Sequence, residues 1–417
     1  MKQRIGTKEI QKRVEVNFDE QVEFLSDLVK QTSVNCEDNS GKPIELGVAR
    51  LIKSKLIGMG LPAKYFRARK NRPNVVVTWG NVRARKSLAL VGHMDTDKPL
   101  FGDEKVWYSG HISGNCLYGA GVLDMKGSLS VYIYALKAVL DLGMEPLGQL
   151  KLAFTVDGKN PRPSELGLKF LVKKGFKANG AILGKMGTDK IAIGHRGGYR
   201  FKITVYGEAV NTGRRAWEEG KRGRNAILGM AKIIRKLSNF DLPFRSAKAF
   251  PGRVPVFTFP TKMVGGRAMD VVPDLCEAWG DVRLLPGNTD VQVKMWIEEK
   301  LADLNDVSWE LEDELYTPSM EIDKTNKLLL LLQEQASDVL KKKPRLEGCG
   351  PWNEAWMLSC LADTPCVAGF GPDGQEGGAS VDEQESIDLS SLKHITEIYA
   401  RVIWKYLGDV RDKAIGN

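Results

Sequence analysis

The chain has 417 residues, 42% of them hydrophobic and 27% charged, with a formal net charge of +9. That composition excludes a disordered polypeptide and leaves ample length for two domains with a real core. No apolar run approaches a membrane span, and the six cysteines are scattered without a Cys-x-x-Cys, so neither a disulfide framework nor a zinc knuckle is indicated. Met1–Lys8 has no apolar core for a signal peptide, and the expected location is the cytoplasm with reduced thiols. Lysines are spread along the chain with no aromatic-interleaved basic strand, so the positive charge reads as a solvated surface and neither nucleic acid nor membrane is an expected partner. One local crowd stands out. Arg214, Arg215, Lys221, Arg222 and Arg224 share a loop that is either simply solvated or faces an acidic partner.

In chain order, the pattern predicts a helix over 18–30 and strands over 74–79 and 87–91. A helix follows over 127–142, with Leu129, Ile133, Leu136 and Val139 on one stripe. A strand over 150–156, a helix over 166–173 and a strand over 180–183 continue a β/α alternation, which argues a mostly parallel sheet. The polarity then changes. Residues 199–206 alternate strictly, as an antiparallel strand with one exposed face should. A helix over 226–237, a strand near 278–284, a helix over 291–304 and a strand over 308–312 complete a unit of domain size. Helices over 325–340, 352–361 and 389–407 close the chain. The expected class is α/β with an inserted α+β unit.

Of four histidines, only His93 lies in a metal-ligand pattern, at the end of the apolar run Leu88-Ala-Leu-Val-Gly-His-Met-Asp-Thr96. Strands carry ligands to a sheet's C-terminal edge in this way. Leu117-Tyr-Gly-Ala-Gly-Val-Leu-Asp-Met-Lys-Gly127 then presents Asp124 on a glycine-rich turn before a helix. His93 and Asp124 could hold a hydrolytic metal between them, but such a metal needs three or four protein ligands. His111 reads as a surface loop residue and His394, within a helix, as structural.

These segments resemble the M20 zinc amidohydrolases and peptidases, and the resemblance runs through nearly the whole chain. It is carried further by Trp107, Gly194-His-Arg-Gly-Gly198, Gly223-Arg-Asn-Ala-Ile227, Val272-Pro273, Asp281-Val-Arg283, Phe370-Gly-Pro372 and Glu385-Ser-Ile-Asp-Leu389. The family implies a discontinuous catalytic-type domain, 1–193 with 317–417, and an inserted ferredoxin-like lid and dimerisation domain, 194–316. It implies a homodimer through the lid and an amino-acid-derived or peptide ligand. Asp95 would orient His93 as a carboxylate partner. Arg283 would meet a substrate carboxylate or form a salt bridge in the lid sheet, and Gly371 would back the cleft.

The resemblance also marks departures. Where the family has a Glu-Glu pair, general base then ligand, this chain has Gly158 and Lys159. The next acidic ligand is Lys185, and the last histidine ligand falls on Ser380 or Val381. A lid histidine is replaced by Asn211. Glycine takes no proton and a protonated lysine ligates no cation. Two remnant ligands, His93 and Asp124, are therefore expected to be vacant, with Lys159 or Lys185 pairing with Asp124 or Asp95. Glu165 is an acid that could replace a lost one if its segment folds back.

Three functions fit these residues. The leading one is a non-hydrolysing homologue that keeps a ligand cleft, with Asn211, Arg283, Gly371 and Ser380 around it and no cofactor. The second is an amidohydrolase with a rebuilt site, holding one zinc ion at most or using Asp95, Lys159 and Lys185 without metal. A lowered lysine pKa would open Schiff-base chemistry there. The third is an interaction protein that uses the basic lid loop.

Overall fold

Helix Gly127–Asp141 is buried from Leu129 through Leu136 without interruption. A helix apolar all round must sit inside the protein, and the first unit is arranged to cover it. The computed structural model describes residues 5–35, 44–81, 83–98, 104–159, 164–185, 187–376 and 384–408. Helices Thr7–Lys30 and Leu389–Leu407 and strand Ser87–His93 all pack against the buried helix.

The main sheet has six strands in the order Lys64–Arg69, Arg72–Gly80, Gln149–Thr155, Ser87–His93, Gly180–Leu183 and Cys366–Val367. The last four run parallel, and the first two are added antiparallel. Every residue of Ser87–His93 is buried, which explains why its sequence is a continuous apolar run rather than an alternation. Its C-terminal end, flanked by those of Gln149–Thr155 and Gly180–Leu183, is the edge at which α/β sheets collect ligands.

The chain divides into two compact units. One comprises Met1–Gly194, Ile322–Cys349 and Asn353–Asn417; the other comprises His195–Glu321 and Gly350–Trp352. The second unit is a four-stranded antiparallel sheet, ordered Val256–Gly265, Leu275–Leu284, Gly197–Tyr206 and Ser308–Thr317. Met230 and Ile233 from helix Ala226–Leu237, and Val293 and Ile297 from helix Asp290–Leu301, share one core with Phe201, Ile203 and Ala278. Burying each such side chain contributes roughly 1.5–3 kcal/mol. No helix among the described residues is long and apolar enough to cross a membrane.

Three expectations change. The first helix begins at Thr7, because the added turns bury only Ile10, Val14 and Asn17 and look solvated in sequence. A second helix, Leu46–Gly58, buries Val48, Ala49, Ile52 and Leu56 on a helical stripe that the coarse reading passed over. The strand over 199–206, expected with one exposed face, lies inside the sheet, hydrogen-bonded on both sides. The sheet's two edges are Val256–Gly265 and Ser308–Thr317. Strand Val256–Gly265 is disguised in sequence by Pro260, which sits at an irregularity between Thr258 and Lys262, where a proline is tolerated.

Candidate active site

Three strand ends and two helix starts bring the candidate residues together in the first unit. His93 closes strand Ser87–His93 and is fully buried. Its Nε2 lies 3.1 Å from Asp124 Oδ1, and its Nδ1 lies 2.9 Å from the Asp95 carbonyl oxygen. Both ring nitrogens face acceptors, so both contacts are hydrogen bonds only with a proton on each nitrogen. Asp124 stands on the turn Gly121–Lys126, whose shape is fixed from outside. The Glu385 carboxylate accepts from the backbone N–H groups of Gly121, Leu123 and Asp124 at 2.6–2.8 Å. Burial pushes the Glu385 carboxyl up, with the Asp124 charge adding, against those three amide hydrogen bonds.

Beyond strand Gln149–Thr155 the chain turns at Asp157, which adopts a left-handed conformation with φ 65°, as aspartate tolerates. The next two residues carry N–H groups that donate to the Asp95 carboxylate, Gly158 at 2.9 Å and Lys159 at 2.8 Å. The turn sends the Lys159 ammonium to Asp124 Oδ2 at 2.5 Å and Asp97 Oδ2 at 2.6 Å. On the other flank, Tyr132 ties two strand ends together. Its hydroxyl donates to the Val91 carbonyl at 2.9 Å and accepts from Gly184 N–H at 2.7 Å. Lys185, the next residue, points its ammonium at Asp124 Oδ1, 2.9 Å away, and at Glu354 Oε2, 3.7 Å away. Glu354 immediately precedes helix Ala355–Leu361 and is buried.

The result is an alternating chain of charges: Asp97, Lys159, Asp124, Lys185, Glu354. Burial works against the Asp124 charge, but Lys185, then Lys159 and His93, outweigh it and hold the carboxyl well below its usual range. Desolvation likewise opposes both ammoniums. Asp124 and Asp97 overcome it at Lys159, and Asp124 and Glu354 at Lys185, so both lysine pKa values are raised. Among the described residues, no three His, Cys, Asp or Glu side chains group as a metal ion would need. A cavity of about 930 Å³ opens over the cluster, with Trp107, Lys98, Lys190 and Gly374 in its wall.

Residues 89–405 match the model of peptidase family M20/M25/M40. The chain belongs to this family. It is similar to the succinyl-diaminopimelate desuccinylase of Pelagibacter ubique, 25% identical over 386 residues, which span 87% of this chain and 94% of that one. Its fold is similar to that of a Staphylococcus aureus tripeptidase, with TM-score 0.71, 18% identity and coverage of 94% of this chain and 98% of that one. It is also similar to a Bacillus subtilis M20 peptidase described as dinuclear metal binding, with TM-score 0.68, 14% identity and coverage of 94% and 99%.

Against the M20 pattern, the structure brings His93, Asp95, Asp124, Lys159 and Lys185 together and leaves other expected residues elsewhere. Asp95 contacts the His93 ring through its main-chain carbonyl, while its carboxylate caps the Gly158–Lys159 turn and accepts from Asn35. That carboxylate also lies 3.6 Å from Nδ1, a distance for charge pairing rather than a direct hydrogen bond. Both ammoniums are held by carboxylates, Lys159 by Asp124 and Asp97 and Lys185 by Asp124 and Glu354, so their pKa values move up, opposite to the lowered values that Schiff-base chemistry would need. Glu165 does not fold back; it pairs with Lys169 and Lys173 at the surface. Gly371 packs its backbone so closely on Gly184 and Lys185 that an added Cβ would lie 2.5 Å from the Gly184 carbonyl oxygen. Ser380 and Val381 lie outside the described residues.

Asn211 and Arg283 belong to the second unit and are engaged within it. Asn211 donates to Asp270 at 3.0 Å, and Arg283 Nε meets Asp281 at 2.7 Å. In the basic loop, Arg215 and Lys221 pair with Glu219, and Arg222 pairs with Glu208, so much of its charge is neutralised locally. His394 is exposed on its helix. Sequence reasoning missed Asp97 and Glu354. Asp97 was visible two residues beyond Asp95, whereas Glu354 reads as an ordinary acid at a helix start.

Proposed function

We propose that this M20 protein has lost dinuclear-zinc hydrolysis and keeps its cleft for an amino-acid-derived or peptide-like ligand, as a binding, regulatory or partner subunit. One observation carries the reading: Lys159 and Lys185 occupy the two carboxylate oxygens of Asp124, at 2.5 and 2.9 Å. The donor set does not fit two zinc ions. Two unit charges 4 Å apart at a partly solvated site interact by roughly 4 kcal/mol, and a dication beside two ammoniums meets that repulsion several times over. Gly158, at the position of the family's general base, has no side chain to take a proton from water. The retained cavity and the printed activities of the relatives, a desuccinylase and a tripeptidase, support the ligand class.

The test is turnover of N-succinyl amino acids and short peptides with zinc present. The reading expects no hydrolysis above the buffer blank, and binding of at least one of these compounds by calorimetry. Zinc-dependent turnover that is lost in a His93→Ala variant contradicts it.

A homodimer through the second unit is part of the same proposal. The outer edge of Val256–Gly265 has no strand beyond it among the described residues, and Met263 and Val264 on it are exposed, a strand type that needs covering. Sedimentation velocity showing only monomer at micromolar concentration removes this element.

A further inference from the structure

Most of the charge in the cavity wall is already matched from within the protein. Asp97, Lys159, Asp124 and Lys185 neutralise one another, and Glu385 is held by three backbone amides. The Asp373 carboxylate accepts from the Thr188 N–H at 2.8 Å, the Thr188 hydroxyl at 2.5 Å and the Ser391 hydroxyl at 3.1 Å. Lys98, Lys190 and Glu376 also line the cavity. Among the described residues, none of these three forms an ion pair. Lys98 follows Asp97 directly, but the Asp97 carboxylate is taken by Lys159. Lys190 follows Asp189, whose carboxylate meets Lys342 at 2.7 Å and Arg345 at 3.9 Å.

The unmatched charges are therefore two cations against one anion, beside the apolar surfaces of Leu123 and Pro372. A cleft with low-dielectric walls focuses such a field and draws in a ligand of opposite sign. Lysine presents a point charge on a flexible stem, which suits a carboxylate or a phosphate.

We propose that Lys98 and Lys190 form an anion subsite, through which the cleft selects an amino-acid derivative with two anionic groups, carboxylate or phosphate. The proposal rests on the reading that the cleft keeps an amino-acid-derived ligand; it adds the charge of that ligand and the residues that read it. Arg283, which the family pattern offered for a substrate carboxylate, is held by Asp281 at 2.7 Å within the second unit.

The experiment is calorimetric titration of the full chain, without added metal, against a matched series. N-acetylglutamate carries two carboxylates, N-acetylglutamine one, and N-acetylglutamine amide none. N-acetylphosphoserine puts a phosphate in place of the second carboxylate. At least one of the two dianions should bind roughly five-fold tighter than N-acetylglutamine, with the diamide weakest and the preference shrinking as salt rises. Lys98→Met/Lys190→Met should abolish the preference. Lys232→Met/Lys236→Met, which removes two charges from helix Ala226–Leu237 of the second unit, should keep it. Glu376→Gln should tighten dianion binding.

Equal affinity across the series overturns the subsite, as does a preference that survives the loss of Lys98 and Lys190. Failure of both dianions to bind at millimolar concentration overturns it too. An equal loss in the second-unit control also overturns it, by assigning the effect to net charge. Weaker dianion binding in Glu376→Gln overturns it in favour of a zwitterionic ligand. Zinc-dependent hydrolysis of the same compounds would instead overturn the proposed function, and the charge preference is measured independently of it.

Discussion

A lysine ammonium supplies one positive charge on a covalent tether, and Asp124 has two of them. The sign of each shift sets how stability depends on pH. The Asp124 carboxyl lies well below its ordinary 3.8, so its contribution is complete above that value and is lost as pH falls through the depressed folded value. Lys159 and Lys185 are raised above 10.5, so theirs is complete below 10.5 and lost as pH rises through the raised values. Asp124→Asn should therefore lower the urea midpoint by a constant amount between those two limits, and by less beyond either. Because the Asp124 side chain is 41% exposed, solvent moderates the size of the effect. A midpoint difference that does not shrink at either extreme contradicts the network. At this scale the sequence was informative, since Gly158, Lys159 and Lys185 are legible as residue types against the family pattern. It was silent on Glu354, because an acid's three-dimensional neighbours are set by where its helix starts, not by local pattern.

Elements deliver these residues, and their ends limit what can be restored. Reinstalling the family's base as Gly158→Glu would press a Cβ against His93, which is fully buried, and against Glu354. Overpacking of this kind costs about 1–3 kcal/mol. The variant should show a lower urea midpoint and no gain in hydrolysis, and adding Glu354→Ala should recover part of the loss. An unchanged midpoint would mean that the turn opens freely and that the crowding argument is wrong. Elements with strong periodicity were legible: Gly180–Leu183, Ala226–Leu237 and Leu389–Leu407 fall where apolar spacing puts them. Strand Val256–Gly265 was not, because a proline inside a strand and a largely exposed face erase the alternation that reveals a strand.

For the whole molecule, family membership and fold came through many ordered matches spread along the chain, none decisive alone. Activity follows the site rather than the fold, and in this site the Lys159 and Lys185 ammoniums hold both oxygens of Asp124. The measurement that meets this claim most directly is the zinc content of the unmodified protein after equilibrium dialysis against zinc and removal of free ion. The account predicts no stoichiometric zinc. Two zinc ions per chain, lost on His93→Ala or Asp124→Ala, would contradict it.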